Sequence, residues 1–359
     1  MILDGALDGL GLPEAAAAEI RVAQDALING HPDRCLLMLD ALDLPHDPAV
    51  ACLRGLAHLK RFDLFRAESV LGDLLERQPV FAAVLGLAQV RTLQEEHEAA
   101  AELLRQALQM RPEHAGAMVA LVASYAQLGR FERAEALSRR ALDLHPTSAE
   151  LLFGLGESLR CQDRHVEAVA VLQRLLPLDE VAEAPRVALG RSLLALERPA
   201  EARPIFEEVL RRNAESTGAL AGVAEALAQE GRLGEAHGYV LRALAAAPDQ
   251  AWLHLLHARM NLRAGRLAQA EQSAETAATL TDNPRDALRI AVAAAWERGD
   301  FSRAAEHAAQ VLRYEPRDAP SHAALALADL LAGRVADAQG RLAPLMAGGD
   351  GCAEALLVR

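Results

Sequence analysis

An all-α fold, an α-solenoid of stacked antiparallel helix hairpins, is what this sequence predicts, and three observations predict it. Of the 359 residues 52% are hydrophobic but only 3% aromatic, with alanine and leucine dominating the apolar share. That composition favours helix and lacks the β-branched and aromatic side chains of a sandwich or barrel. Nine alanines, Ala67, Ala100, Ala134, Ala168, Ala202, Ala236, Ala270, Ala304 and Ala338, stand in one register, the first step 33 residues and every later one 34. Chain breakers keep the same beat. Five residues before these alanines stand Gly129, Gly231, Gly265, Gly299 and Gly333, where a helix ends in a left-handed turn. Twelve residues after them stand Pro79, Pro112, Pro146, Pro248 and Pro316, where a second helix stops and the next unit starts.

Taken in order, residues 1–15 form a lead-in, and about ten units fill 16–347. They start near Ala16, Pro48, Phe81, Ala115, Ala149, Glu183, Thr217, Ala251, Arg285 and Ala319. Each is predicted as a helix, a Gly turn, a helix and a Pro-marked turn. The first two are the least regular, with Cys35 and Arg66 in or beside the small-residue column. In the fourth, Met118, Leu121, Val122 and Tyr125 recur at helical spacing. Small residues twelve positions before the alanines (Gly55, Ala88, Gly156, Gly190 and Ala224) mark where the two helices of a hairpin cross. A large residue there would overpack the crossing by about 1–3 kcal/mol.

The eighth unit departs from the pattern. His254, His257 and Asn261 occupy the stripe that carries Leu220, Val223 and Leu227 in the unit before. Buried, each needs a hydrogen-bond partner or costs about 1–3 kcal/mol. Two histidines with no acidic third ligand at matching spacing point to a satisfied polar core, with no metal. The tenth unit closes on Leu342, Leu345 and Met346. Residues 348–359 read as a Gly-rich break and a short C-terminal helix carrying Leu356, Leu357 and Val358. Open arrays need covered ends, so a downstream domain, a partner or a second copy is expected over this face.

Charge and motifs narrow the function. A net charge of −13, with Lys60 the only lysine, argues against nucleic acid and anionic membranes, whose phosphates need clustered cations. The longest apolar run, Val80 to Ala88, is half a membrane span, and the first residues lack a signal-peptide pattern. Cys35, Cys52, Cys161 and Cys352 show no C-x-x-C spacing and read as reduced thiols, so a cytoplasmic protein is expected. No nucleophile elbow, phosphate-binding loop or zinc-protease motif is present, and the glycines serve turns. No cofactor and no catalysis are expected.

The segment Ala115 to Ser148, through Leu121, Tyr125, Gly129, Phe131, Ala134, Ala141 and Pro146, resembles the tetratricopeptide repeat, with Met118 in place of the family's early tryptophan. The resemblance covers about nine tenths of the chain. It implies a right-handed superhelix whose first helices line a concave groove for a peptide or protein segment. Carried over, the fifth groove column includes Leu85, Val119, Phe153, Leu255 and Arg289, and the ninth includes Gln89, Glu157, Arg191, Glu225 and Arg259. Trp252 and Trp296 also map to groove positions, where they serve either as binding hot spots or as packing between repeats. The Lys and Asn clamp that some members use for a terminal carboxylate is missing. Arg191 and Arg259 are candidates to hold a partner's carboxylates; the alternative is that Glu157, Arg191, Glu225 and Arg259 pair with one another as a solvated ladder. The function expected is a non-catalytic scaffold or adaptor. Two alternatives stand beside it: a substrate-docking module of a sulfotransferase, glycosyltransferase or hydroxylase, fused or in trans, and a self-assembling homo-oligomer.

Overall fold

The computed structural model describes residue 13, residues 16–42, residue 44 and residues 46–347, with side chains up to residue 343. The lead-in before residue 13, the side chains of Leu345 and Met346 and the expected C-terminal helix lie outside the described residues. The described residues form twenty α-helices and no strand.

The helices pair as hairpins: α1 (Ala17–Ile28) with α2 (Pro32–Asp40), α3 (Pro48–Lys60) with α4 (Leu64–Arg77), α5 (Phe81–Leu93) with α6 (His97–Met110), α7 (Ala115–Gln127) with α8 (Phe131–Leu144), and α9 (Ala149–Cys161) with α10 (His165–Leu175). Then follow α11 (Glu183–Ala195) with α12 (Pro199–Arg212), α13 (Thr217–Gln229) with α14 (Leu233–Ala246), α15 (Ala251–Arg263) with α16 (Leu267–Thr279), α17 (Arg285–Glu297) with α18 (Phe301–Tyr314), and α19 (Ala319–Leu331) with α20 (Val335–Ala347). First helices start under side-chain caps where the sequence supplies them. Asp47, His114, Ser148, Ser216 and Asp318 each accept a backbone N–H of the first turn. Second helices end two residues before Pro79, Pro112, Pro146, Pro248 and Pro316.

Every hairpin turn in the described residues is closed the same way. In the fourth hairpin Gly129 takes φ +68°, and the Arg130 N–H reaches back to the Tyr125 carbonyl at 2.8 Å, the long bond that satisfies an end-of-helix carbonyl. The same left-handed residue and bond recur where the sequence has no glycine, at Phe62, Glu95, Asp163 and Glu197, with φ of 56–62°.

The chain divides into two compact units, the first ending at Ala188 and the second starting at Leu189, inside α11. In the first, one apolar core runs from Ala16 to Leu151. In the second, Leu288, Val292, Ala308, Val311 and Ala324 form one cluster, and Ala258, Ala274 and Ala291 another. All nine register alanines are at most 1% exposed. The small column twelve residues earlier lies against the side chain one turn beyond the alanine rather than the alanine itself. A Cβ on Gly55 or Gly156 would overlap Leu71 or Leu172. Phe206 shows this most sharply: its fully buried ring fills the space left by Gly190 of its own hairpin and Gly222 of the next.

Candidate functional site: the first-helix face

Within the first unit the sequence-derived positions fall on α5, α7 and α9. Leu85 is wholly buried and has no surface to offer a ligand. Gln89, Val119, Phe153 and Glu157 are half-buried. Glu157 is held by Arg160 one turn on, through Nε at 3.0 Å and Nη2 at 2.9 Å.

The second unit places Arg191 on α11, Glu225 on α13 and Arg259 on α15. Both arginines are exposed; Glu225 is half-buried. Burial pushes the Glu225 carboxyl up, and the positive charges of Arg191 and Arg259 only partly offset this. A contact would have held it down, as it does at Glu68, whose carboxylate accepts from Gln94 and Arg91 and titrates below its ordinary value. Among the described residues no ion pair within 4.0 Å joins these three side chains. The Arg191 guanidinium instead stands 5.7 Å from the centre of the Trp252 ring, within cation–π reach. Trp252 is 37% exposed, and Leu255 beside it is half-buried. The other two positions are engaged elsewhere. Arg289 is bound to Asp318 at 2.5 Å and to Glu315 at 2.9 Å. Trp296 packs on the apolar cluster of α17–α19, edge-on to Phe301 at 5.4 Å. This face of α11, α13 and α15 therefore brings together two exposed guanidinium groups, a half-buried carboxyl and an exposed indole.

The polar stripe of α15 is only partly satisfied. His254 Nε2 lies 2.7 Å from the Pro248 carbonyl and His257 Nδ1 lies 3.0 Å from Ser273 Oγ. His257 Nε2 and both terminal atoms of Asn261, a residue 1% exposed, have no partner. The His237 ring lies 5.1 Å from that of His257. Burial first, and the neighbouring His237, His254 and Arg266 next, push His257 down to about 4.

A cluster that sequence reasoning missed centres on Glu271, which is 3% exposed. Arg298 and Arg303 bind its carboxylate at 2.7 and 2.8 Å, and His307 Nε2 lies 3.0 Å from it and 3.5 Å from Glu275. Glu271, Glu275 and His307 could each offer a metal ligand atom within 4.8 Å of one another. The guanidinium groups already occupy the carboxylate edge, so the geometry is that of an ion-pair network. Its signal was available in the column one residue past the alanines. There Glu68 meets Arg91, Glu135 meets Arg164, and Arg203 meets Glu230 of the next hairpin.

No helix among the described residues is long and apolar enough to cross a membrane. A family model described as "Tetratricopeptide repeat" matches residues 52–115, 119–185 and 187–251, more than half the chain, and a second model of the same description matches 92–141. No curated protein sequence matches the chain. Among solved structures, a tetratricopeptide repeat protein from Parabacteroides merdae is similar at 16% identity with a TM-score of 0.60, over 69% of this chain and 98% of that one. PilF of Pseudomonas aeruginosa is similar at 20% identity with a TM-score of 0.47, over 57% and 93% of the two chains. YrrB, described as a TPR protein with an unusual peptide-binding site, is similar at 22% identity with a TM-score of 0.39, over 53% and 97%. At such identities the likeness extends to the fold alone.

Proposed function

We propose, from the premise that this chain belongs to the tetratricopeptide repeat family and is a protein-interaction module of that kind, that it is a non-catalytic adaptor. On this reading the face of α11, α13 and α15 receives a peptide segment bearing a carboxylate beside an apolar residue. The observation that carries the reading is the pair Arg191 and Arg259. Many arginines of this chain are tied to carboxylates, as Arg91, Arg164, Arg203, Arg232 and Arg303 are. Arg191 and Arg259 make no such contact among the described residues. An exposed guanidinium keeps its planar fork of donors for a partner's carboxylate. Trp252 supplies an apolar surface next to Arg191. Local contacts, not the field of an acidic chain, carry recognition here.

Selection from a displayed random peptide library tests this. The enriched sequences should carry Asp or Glu next to an aromatic or aliphatic residue. Arg191→Glu or Arg259→Glu should weaken a selected peptide about tenfold or more, the worth of a charge-assisted hydrogen bond, without changing helix content. Enrichment without acidic residues, or affinity unchanged in both variants, would refute the reading.

A further inference from the structure

The turn that leads into the second helix of a hairpin carries an arginine in six described units: Arg130, Arg164, Arg198, Arg232, Arg266 and Arg334. Five of these hold a carboxylate, drawn from five places in the repeat. Arg130 takes Glu98 at 2.7 Å and Arg164 takes Glu135 at 2.6 Å, both from the hairpin before. Arg198 takes Glu201, three residues on, at 2.7 Å. Arg232 takes Glu230 from within the turn at 3.2 Å, and Arg334 takes Asp329 from the first helix at 2.6 Å. Arg266 makes no ion pair among the described residues. Counted from it, the same five places hold Gly234, His237, Gln269, Ala264 and Asn261, none of them acidic.

The helix that begins here, α16, shares the deficit. Every other second helix among the described residues starts on an acidic side chain, at the cap of α4 and α18 and in the first turn of the rest. α16 has neither, and no side chain caps it, so the positive end of its dipole faces no anion of its own. Asn261, whose carbonyl accepts the Arg266 N–H at 2.9 Å, is 1% exposed and has both side-chain amide atoms unpartnered. Its place is the one from which Asp329 takes both Arg334 and Arg341. His257 Nε2 is likewise buried and unpartnered, its Nδ1 being on Ser273 of α16. The charges acting on His257 are those of His237 on α14, His254 on α15 and Arg266, all of one sign. The Arg266 charge acts on His237 as well, and the two rings lie 5.1 Å apart.

We propose that the α15–α16 turn is an anion site for a carboxylate from outside this chain, bound by the Arg266 guanidinium with His237, His257 and Asn261 beside it. The repeat itself names the chemistry. At the five equivalent arginines the bound group is a carboxylate, which the planar fork of donors fits. Arg266 is exposed, so the group can arrive from solvent. Two sources supply it: a free small organic acid, or an acidic side chain of a partner protein. A carboxylate in the turn favours the charged form of the imidazoles that Arg266 disfavours, so occupancy is felt at His257. The site shares no residue with Arg191, Trp252 or Arg259, and either proposal can fail alone.

Nuclear magnetic resonance of the full chain tests it, with succinate and a blocked pentapeptide bearing one glutamate as probes and sodium chloride of equal ionic strength as the control. Either probe, added at neutral pH, should move the Arg266 Nε–H signal saturably. It should also raise the midpoint of His257, read from its ring protons, by about one pH unit. Responses to succinate alone identify a free acid as the ligand, and responses to the peptide a partner's side chain. Gln269→Glu, at an exposed position, supplies the carboxylate that Glu201 gives Arg198. It should abolish both responses while the melting temperature rises, so lost binding cannot be lost folding. Arg266→Gln should abolish the His257 response too. No saturable shift from either probe, a shift matched by sodium chloride, an Arg266 shift that leaves His257 unmoved, or full responses in Gln269→Glu would each overturn the proposal.

Discussion

Four side chains among the described residues hold a backbone conformation that L-residues resist. Where glycine stands at the turn, as at Gly129 or Gly231, the sequence announces it. At Phe62, Glu95, Asp163 and Glu197 it does not, because the closure of the hairpin overrides the residue's own preference. Glu197→Gly and Asp163→Gly should each raise stability by up to about 1 kcal/mol, the left-handed penalty less the added chain entropy of glycine. Urea unfolding midpoints measure this, and unchanged midpoints would mean the turns are unstrained. The alanine column was legible from its beat alone, and its side chains are buried accordingly. Ala168→Leu or Ala236→Leu should destabilise by about 1–3 kcal/mol in the same assay. What the beat concealed is the identity of the neighbour: Leu71 and Leu172, not the alanines, would meet a Cβ at Gly55 and Gly156.

At the level of helices, the sequence showed that α15 carries an abnormal polar stripe. It could not show which groups would be satisfied, since the partners lie in the turn before α15 and on α16. Burial first, and then the charges of His237 on α14, His254 on α15 and Arg266 in the turn, push His257 down to about 4 in the fold against an ordinary 6.5; its one side-chain hydrogen bond is to Ser273 on α16. The unfolded chain therefore takes up this proton first as pH falls. Stability is complete above pH 6.5 and declines between 6.5 and 4, by on the order of 1 kcal/mol once solvent screening is allowed for. Glu225, pushed up by burial, acts in the opposite sense near the lower end. The comparison that isolates His257 is thus His257→Val, the residue type at its place on α13, and it should flatten the acid limb of thermal stability. An identical limb in the variant would count against the buried neutral ring. The Glu271 network was equally hidden, because Arg298 and Arg303 lie 27 and 32 residues on and belong to another hairpin. Glu271→Ala strands several donors and should cost about 3 kcal/mol, whereas Glu98→Ala, at the exposed Glu98–Arg130 pair, should cost under about 1 kcal/mol.

For the molecule as a whole, the 34-residue beat carried the fold class, the number of hairpins and the family. It said nothing of the divide at Ala188 and Leu189, since the register alanines run unbroken through it. Groove chemistry was half legible. The residue types were readable, but whether Arg191, Glu225 and Arg259 would close into a ladder depends on distances between helices that no column reveals. Hairpins that contact mainly their neighbours unfold with limited cooperativity. Both tryptophans, Trp252 and Trp296, lie in the second unit, whereas far-ultraviolet circular dichroism reports on both. Denaturation followed by the two signals should therefore give transitions that do not coincide. Superimposable curves would show that the two units melt as one.

The ring of Phe206, set against Gly190 and Gly222, also limits how this sequence can change. Alanine at either glycine collides while the ring is present, and shrinking the ring first leaves a void that alanine could then fill. Of the possible orders of substitution, the viable ones begin at position 206, so the three sites drift as a linked set with a preferred direction. A combinatorial library over 190, 206 and 222, sorted for folded protein, would display that asymmetry as glycine-to-alanine changes tolerated only on backgrounds that have already lost the phenylalanine.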